Sequence, residues 1–170
     1  RRFSEDREPE SRRGLGGSLI LRGSLPMNGY IRKAAAFAHK VSVFLHPYSR
    51  TVQLFWIFSS PVLVTDLEDA ELGHKILFVL SQSRTDVAHP TSWKGLTDSL
   101  HKSAGVRSFD AFAKHAKGVD IAMDDRGVVF TPTRNGGPKQ AFLHLNDKQI
   151  RCSPTEMELM ECLRAALDRK

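Results

Sequence analysis

Alternating apolar positions predict two β-hairpins in the chain. In the first, Val41, Val43 and Leu45 mark one strand, residues 47–50 supply turn-forming residue types, and a second apolar run ends at residue 58. This run is apolar on both sides over residues 54–58, so we expect a central strand with both faces covered. The second hairpin turns at residues 124–127, an Asp-Asp-Arg-Gly sequence typical of a tight turn.

Two further segments bear on the predicted sheet. Residues 30–38 contain three consecutive alanines, which favour a helix, yet they lead directly into strand-like sequence and stay ambiguous. Residues 136–138, Gly-Gly-Pro, predict a loop, and residues 141–145 then alternate as one more strand. The sheet is therefore expected to hold two hairpins and one additional strand.

Helical spacing predicts about four helices, of which the first two lie between the hairpins. Residues 65–68, Thr-Asp-Leu-Glu, form a capping-box pattern that opens a first helix extending to about residue 84. Its predicted buried stripe consists of Leu72, Ile76, Val79 and Leu80. A short second helix ends at Gly105, and its marker residues are Trp93, Leu96, Leu100 and Ala104.

The other two helices have clear start signals. Ser108 is predicted to cap the third helix, and Gly118 to close it in a left-handed conformation. The fourth begins at Ser153 as N-cap, with Pro154 in the first turn and Glu156 reaching back. The apolar face of this last helix contains Leu159, Cys162, Leu163, Ala166 and Leu167.

This order of elements predicts an α+β fold with a single, mainly antiparallel sheet of two hairpins plus one strand, packed with about four helices. We expect residues 27–170 to form one domain. Residues 1–26 are poor in apolar types and rich in Arg, Gly and Glu, which is typical of a disordered leader or an expression remnant. Met27 would then be a translation start.

Charge and composition narrow the class of protein. The formal net charge is +6 at pH 7, but Lys and Arg come singly and are interleaved with acids. This pattern favours an ordinary mixed surface over a nucleic-acid-binding stripe, although a nucleic-acid-binding module stays the alternative reading. No apolar run approaches the roughly 20 residues that span a bilayer, so we expect no membrane association.

The titratable residues do not form a catalytic or metal-binding pattern. Seven histidines are scattered, without a His-x-x-x-His or Cys-x-x-Cys spacing: His39, His46, His74, His89, His101, His115 and His144. Those at positions 74, 101 and 115 are expected on solvated helix faces, whereas His144 alternates between leucines and is expected to be half-buried in a structural role. We therefore predict no enzyme, no metal and no cofactor.

Two weaker candidates for chemistry are better explained by structural roles. Cys152 and His144 are close enough in sequence to suggest a nucleophile pair, but nothing orients a third group, and two reduced, semi-buried thiols at Cys152 and Cys162 are the favoured interpretation. Gly136 and Gly137 beside Arg134 suggest an anion cradle. Pro138 removes one amide donor, so a plain loop is favoured.

Acidic residues supply the candidate partner-binding positions. Glu68 and Asp69 belong to an acidic cluster at the predicted start of the first helix, where capping explains most of the pattern. Asp124 and Asp125 lie at the tip of the second hairpin. These four residues are predicted to contact a basic partner.

Three motifs, in this order, carry a family resemblance. They are Phe-Leu-His-Pro-Tyr-Ser-Arg at residues 44–50 with Trp56, Ile57 and Pro61; Glu-Leu-Gly-His-Lys-Ile at 71–76; and Gly-Val-Val-Phe-Thr-Pro-Thr-Arg at 127–134 with the helix ending at residues 163–167. From about residue 32 onward the chain resembles the immunity proteins of bacterial contact-dependent growth inhibition systems.

The resemblance implies a role that the residues alone do not give. Proteins of that family are cytosolic and bind the C-terminal toxin domain of a cognate secreted effector, so it implies a cytoplasmic, non-catalytic inhibitor acting by stoichiometric occlusion. The toxin is expected to be a nuclease. The resemblance transfers the fold and the role but no binding residue. The positive net charge departs from the acidic character typical of inhibitors of basic nucleases.

Overall fold

The computed structural model describes residues 32–137 and 141–169, which form an α+β fold. Its eight strands are β1 Arg32–His39, β2 Ser42–Arg50, β3 Trp56–Phe58, β4 Leu63–Thr65, β5 Ala116–Asp124, β6 Gly127–Gly137, β7 Ala141–His144 and β8 Ile150–Cys152. The helices are α1 Leu72–Ser81, α2 Asp98–Ser103, α3 Phe109–Ala113 and α4 Glu156–Asp168, with a 3₁₀ turn at Asn146–Lys148.

All strand pairs of the sheet are antiparallel, in the order β3-β2-β1-β5-β6-β7, with β4 also pairing β2 and β8 also pairing β6. The predicted fold class is confirmed, and the sheet is larger than the five strands expected. The leader assigned to residues 1–26 lies outside the described residues. A single domain over residues 27–170 therefore stays a prediction.

The first hairpin begins one strand earlier in the chain than predicted. It consists of β1 and β2, which turn at residues 40 and 41, where Lys40 has a φ of 56°. Residues 47–50 continue β2, and Tyr48 pairs with Lys33 on one side and with Phe58 on the other. Strand pairing on both sides outweighs the local turn preference of these residues. The ambiguous alanines belong to β1, buried between β2 and β5.

The two faces of the sheet carry separate cores. Helices α1 and α4 cover the first face, whose fully buried side chains include Leu45, Ile76, Phe130, Leu159 and Leu163. The predicted stripes of both helices are confirmed there, with Cys162 half-buried at the edge. On the second face, Phe37, Phe44 and Phe112 meet in an aromatic core beneath α2 and α3.

Helix boundaries differ from the prediction at both ends of α1, at the start of α2, at the end of α3 and at the cap of α4. Helix α1 ends at Ser81 and not near residue 84, and α2 begins at Asp98, after the marker residues Trp93 and Leu96. Helix α1 begins at Leu72, because Thr65 ends β4 and the intervening acids bind loop amides instead of capping a helix. Gly118 lies inside β5, where a β-carbon would come 2.6 Å from the Thr133 hydroxyl oxygen, so close packing explains this glycine. Helix α4 is capped by Thr155, whose hydroxyl accepts the Glu158 amide at 3.4 Å, instead of by Ser153. The Ser108 cap of α3 is confirmed, with a 3.2 Å bond from the Ala111 amide.

Candidate functional site

Three charged or titratable side chains meet on the second face of the sheet, and we call them the polar cluster: Lys33, Asp120 and His144. Strand register places them together, because β1, β5, β6 and β7 are neighbours and these residues share one side of the pleat. The His144 Nε2 atom lies 2.8 Å from Asp120 Oδ2, and Lys33 Nζ lies 3.7 Å from the same oxygen. Lys33 Nζ also lies 5.5 Å from the centre of the Trp56 ring.

A concave space adjoins this cluster. A cavity of about 360 Å³ is lined by the polar cluster and by the aromatic side chains Phe37, Tyr48, Trp56, Phe58, Phe109 and Phe142. A second cavity of about 140 Å³ shares the polar cluster and extends towards Gln149. The open part of the second face is thus a groove with an aromatic wall and a charged floor.

Burial and charge set the protonation states around this groove. The hydrogen bond from His144 to Asp120 raises the pKa of the imidazole, with burial acting against it. Burial lowers the pKa of His46 to about 4, and burial also raises the pKa of Tyr48 well above its ordinary value. His46 is therefore neutral at pH 7, and its ring stacks on Phe58 at a centroid distance of 4.2 Å.

The polar cluster holds a histidine in a fixed orientation beside charged groups, but the nearby Thr133 hydroxyl is already hydrogen-bonded elsewhere. A histidine held by a carboxylate is the orienting half of a nucleophilic site, which also needs a nucleophile in reach of the other ring nitrogen. Thr133 lies opposite His144 in the β6–β7 register, but its hydroxyl donates to the Gly118 carbonyl at 2.7 Å. This geometry fits recognition of a polar group better than bond cleavage.

The suggested pair of Cys152 and His144 is not brought together. Cys152 packs with the core under α4, whereas His144 lies on the opposite face of the sheet. Burial and a hydrogen bond with Cys162 raise the pKa of Cys152 to about 12, so the thiol is protonated and a weak nucleophile at pH 7.

The first acidic pair lies in the loop between β4 and α1. Glu68 is exposed, and Arg164 Nη2 approaches its carboxylate at 3.6 Å. Asp69 bonds to Lys75 and Thr65 and also accepts the Glu71 amide at 2.8 Å. The Lys75 contact lowers the pKa of Asp69 strongly. Asp69 is thus committed to its own loop, whereas the Glu68 side chain is 89% exposed.

The second acidic pair divides in the same way. The side chain of Asp124 is 2% exposed and accepts two bonds from Arg151, at 2.7 and 3.1 Å. It also accepts the Arg126 amide at 2.9 Å, which closes the turn. The Arg151 contact lowers the pKa of Asp124 to about 2. Asp125 is exposed, so it is the member of this pair that can reach a partner.

The remaining candidates are three of the histidines and the glycine pair near Arg134. His74 and His115 are exposed as expected, but His101 is not, because its side chain is only 13% exposed and lies against Asp98. Gly136 and Gly137 end β6, where the Gly137 amide donates to Asn135 Oδ1 at 2.8 Å, which occupies one donor of the suggested anion cradle. Pro138 lies outside the described residues.

Among the described residues, no three His, Cys, Asp or Glu side chains converge as metal ligands would. No helix within residues 32–137 and 141–169 has the length and apolar character needed to cross a membrane.

Sequence reasoning did not identify Lys33, Asp120 and Trp56 as members of a site. The alternation in residues 119–123 indicates that Asp120 faces the side of the strand opposite to Val119 and Ile121. This is the sequence feature that could have pointed to Asp120. The partners come from β1, β3 and β7, and only the register between strands distant in sequence determines which residues meet.

Comparison with known proteins gives structural relatives only. No family model matches the chain, and no curated protein matches it by sequence. A protein of unknown function from Neisseria meningitidis has a similar structure, with a TM-score of 0.66 and 18% identity over 81% of this chain and 94% of that one.

A chain of the CdiA-CT/CdiI toxin and immunity complex from Yersinia pseudotuberculosis is also similar. The TM-score is 0.56 at 17% identity, over 80% of this chain and 95% of the other. At these identities the likeness establishes a shared fold.

Proposed function

We propose that this chain is a cytosolic immunity protein that binds and neutralises the C-terminal toxin domain of a cognate contact-dependent growth inhibition effector. The observation that carries the proposal is the fold shared with a chain of a toxin and immunity complex, over 95% of that chain. The three sequence motifs support the same family without reference to the fold.

The proposed mechanism is stoichiometric occlusion. A sheet with helices on both faces is a preorganised body, and binding by such a surface loses little conformational entropy. An interface of about 1,600 Å² in total covers a nuclease active site or its substrate groove. No bond is made or broken in this mechanism, and we propose that the toxin, not this chain, is the catalyst.

The acidic positions stay part of the proposal as polar contacts with the toxin. Their surroundings favour Glu68 and Asp125 as contact residues, since their neighbours Asp69 and Asp124 are bonded within the chain. Charges at the edge of an interface set association rate and partner choice more than affinity.

The decisive experiment is co-expression with the matching toxin domain. The proposal predicts that a large exoprotein is encoded beside this chain's gene, and the probe is the C-terminal domain of that exoprotein. We expect growth arrest when that domain is expressed alone and survival when this chain is co-expressed, with a one-to-one complex after purification. A domain that is harmless alone, or equally toxic with and without this chain, contradicts the proposal.

The net charge of +6 makes a nucleic-acid-binding module the alternative to the immunity protein. A salt titration distinguishes the two. A nucleic-acid-binding module loses affinity for duplex DNA or RNA steeply as salt rises, because counterions are released on binding. We expect no measurable affinity for either duplex at about 150 mM salt. Tight, salt-sensitive binding would favour the alternative.

A further inference from the structure

Four large apolar side chains are exposed together at one end of the sheet, and we call them the apolar patch: Val52, Leu54, Phe55 and Trp93. Their exposed fractions are 59, 61, 54 and 56%. The Phe55 and Trp93 rings contact each other edge to face at 6.3 Å, and His89 packs against both at 5.5 Å. The sequence predicted a buried central strand over residues 54–58, whereas only residues 56–58 pair with β2.

The loop that carries the patch is held by a buried residue. Thr51 is fully buried, its amide donates to the Phe55 carbonyl at 2.8 Å, and its carbonyl accepts the Leu54 amide at 2.8 Å. The Thr51 hydroxyl accepts the Phe55 amide at 3.2 Å and lies 3.4 Å from His89 Nδ1. The Val52 amide also donates to the Val87 carbonyl at 2.9 Å. The exposed side chains therefore project from a fixed backbone.

Leu54 occupies an unfavourable backbone conformation. Its φ is 68°, in the left-handed region that glycine and asparagine tolerate and leucine rarely adopts. Residues are kept in such conformations where the surrounding structure imposes them, often at binding sites. A leucine that is both strained and exposed adds little to the folded state of the isolated chain.

We propose that the apolar patch is the docking surface for the toxin domain, inserting Leu54 and Trp93 into an apolar pocket of that protein. This inference rests on the proposed function and names the contact surface for it. Exposed apolar groups clustered at one place mark interaction sites, and tryptophan is prominent among residues that dominate binding energy.

The charged residues around the apolar patch indicate which charges the toxin should carry around its pocket. Segments 50–55 and 84–94 carry three basic residues, Arg50, Arg84 and Lys94, against the single acid Asp86, a formal balance of +2. Arg84 and Lys94 are exposed. The toxin pocket is therefore expected to have acidic groups at its edge, which also disfavours docking of a second, equally basic copy of this chain.

Strand register places one acidic candidate close to the patch. Arg50 ends β2, and the turn that holds Asp125 follows β5 at the same end of the sheet, two strands away. Strands are about 4.8 Å apart, so about 10 Å separates these strand ends, well within one ordinary interface. Glu68 follows β4, whose last residue Thr65 pairs with Val43 near the opposite end of β2. The patch and Asp125 can therefore share one toxin surface that Glu68 does not reach, with acidic toxin groups facing Arg84 and Lys94 and a basic toxin group facing Asp125.

Exposed aromatic rings beside basic residues also occur in single-stranded nucleic-acid sites, where bases stack on ring faces. Here Val52 and Leu54 are aliphatic, and Trp93 and Phe55 contact each other edge to face instead of standing as parallel platforms. These features favour a polypeptide occupant.

The test is a calorimetric titration of the full chain with the exoprotein's C-terminal domain defined as the probe under the proposed function. The chain is titrated in wild-type form and as Leu54→Asn, Trp93→Ala and the double variant. Asparagine suits the backbone at position 54, so we expect the melting temperature of Leu54→Asn to stay the same or rise. The double variant is expected to lose affinity about thirtyfold or more. Met157→Ala is the matched control, because Met157 is 69% exposed on α4, away from the patch, and should bind as wild type does.

The outcomes separate this inference from the proposed function. If wild type does not bind the toxin domain, the proposed function fails. If wild type binds and the double variant binds equally well, the patch is not the docking surface. A melting temperature lowered in Leu54→Asn would mean that the chain itself covers the patch. Wild type that dimerises through the patch, or that binds single-stranded RNA through it, would likewise overturn a toxin occupant.

Discussion

A β-carbon at Gly73 would lie 2.0 Å from the backbone carbonyl oxygen of Glu156. This approach joins α1 to the first turn of α4, the two helices that cover one face of the sheet. Gly73 belongs to one of the motifs behind the family resemblance. Its physical role is to let two helix backbones come into contact.

We predict that Gly73→Ala destabilises the fold by about 1–3 kcal/mol, because the added methyl group forces backbone apart in a packed core. Chemical denaturation measures this loss. The control is Glu161→Ala, an exposed position on α4 that should change stability by no more than about 0.5 kcal/mol. Equal stability of Gly73→Ala and wild type would contradict the close approach.

The second prediction concerns acid sensitivity through His46. Its Nδ1 donates to the Pro47 carbonyl at 2.9 Å, and burial lowers its pKa from 6.5 to about 4. The unfolded state binds the proton first, so this contribution to stability is complete above pH 6.5 and is lost as the pH falls towards about 4. The expected loss is about 3 kcal/mol.

His46→Phe should flatten this dependence while keeping the ring stack with Phe58. Unfolding free energies from pH 4 to 7 measure it, with exposed His74→Gln as the control. Burial also lowers the pKa of His39, so the unfolding free energy of His46→Phe should still fall somewhat as the pH is lowered. His144 acts in the opposite sense, because its raised pKa gives stability that is present below pH 6.5 and lost at higher pH. An unchanged slope in His46→Phe would contradict the prediction.

The third prediction distinguishes the two adjacent aspartates of the β5–β6 turn. Asp124→Asn removes the charge that Arg151 binds at 2.7 Å, and we expect a loss of about 1.5–3 kcal/mol in unfolding free energy. Asp125→Asn, in the same turn but exposed, should cost no more than about 0.5 kcal/mol. Equal losses in thermal and chemical denaturation would mean that Asp124 has no special structural role.

The same ion pair predicts behaviour at low pH. Since the pKa of Asp124 is lowered to about 2 from 3.8, its contribution is present above pH 3.8 and is lost as the pH falls towards about 2. The difference in stability between wild type and Asp124→Asn should therefore shrink over that range.

The fourth prediction tests the acidic residues proposed to contact the toxin. Glu68→Lys and Asp125→Lys reverse exposed charges at opposite ends of the sheet, so each reports on a different surface. We expect weaker toxin binding and slower association from Asp125→Lys if the apolar patch is the contact surface. Glu161→Lys serves as the control of equal charge change. Binding unaffected by both reversals would remove the acidic residues from the proposed interface without contradicting the proposed immunity role.

Local patterns predicted the elements whose signals lie within a few residues. The Asp-Asp-Arg-Gly turn, the Ser108 cap and the buried stripe of α1 follow from hydrogen bonds and side-chain spacing that neighbouring residues determine. The turn predicted at residues 47–50 failed because Tyr48 pairs with strands on both sides and Ser49 pairs with Ile57 of β3. Pairing with strands from distant segments outweighed the turn preference of these residues. A local sequence pattern contains no information about such pairing.

The sequence by itself therefore determined an α+β fold with an antiparallel sheet and the faces its helices bury, since amphipathic spacing specifies which side of an element avoids water. Only the tertiary structure decided which polar residues meet. Lys33, Asp120 and His144 come from three strands, and their contact depends on register between segments far apart in the chain. The exposure of residues 52–55 was decided in the same way, because an apolar run is buried only where another element is available to cover it.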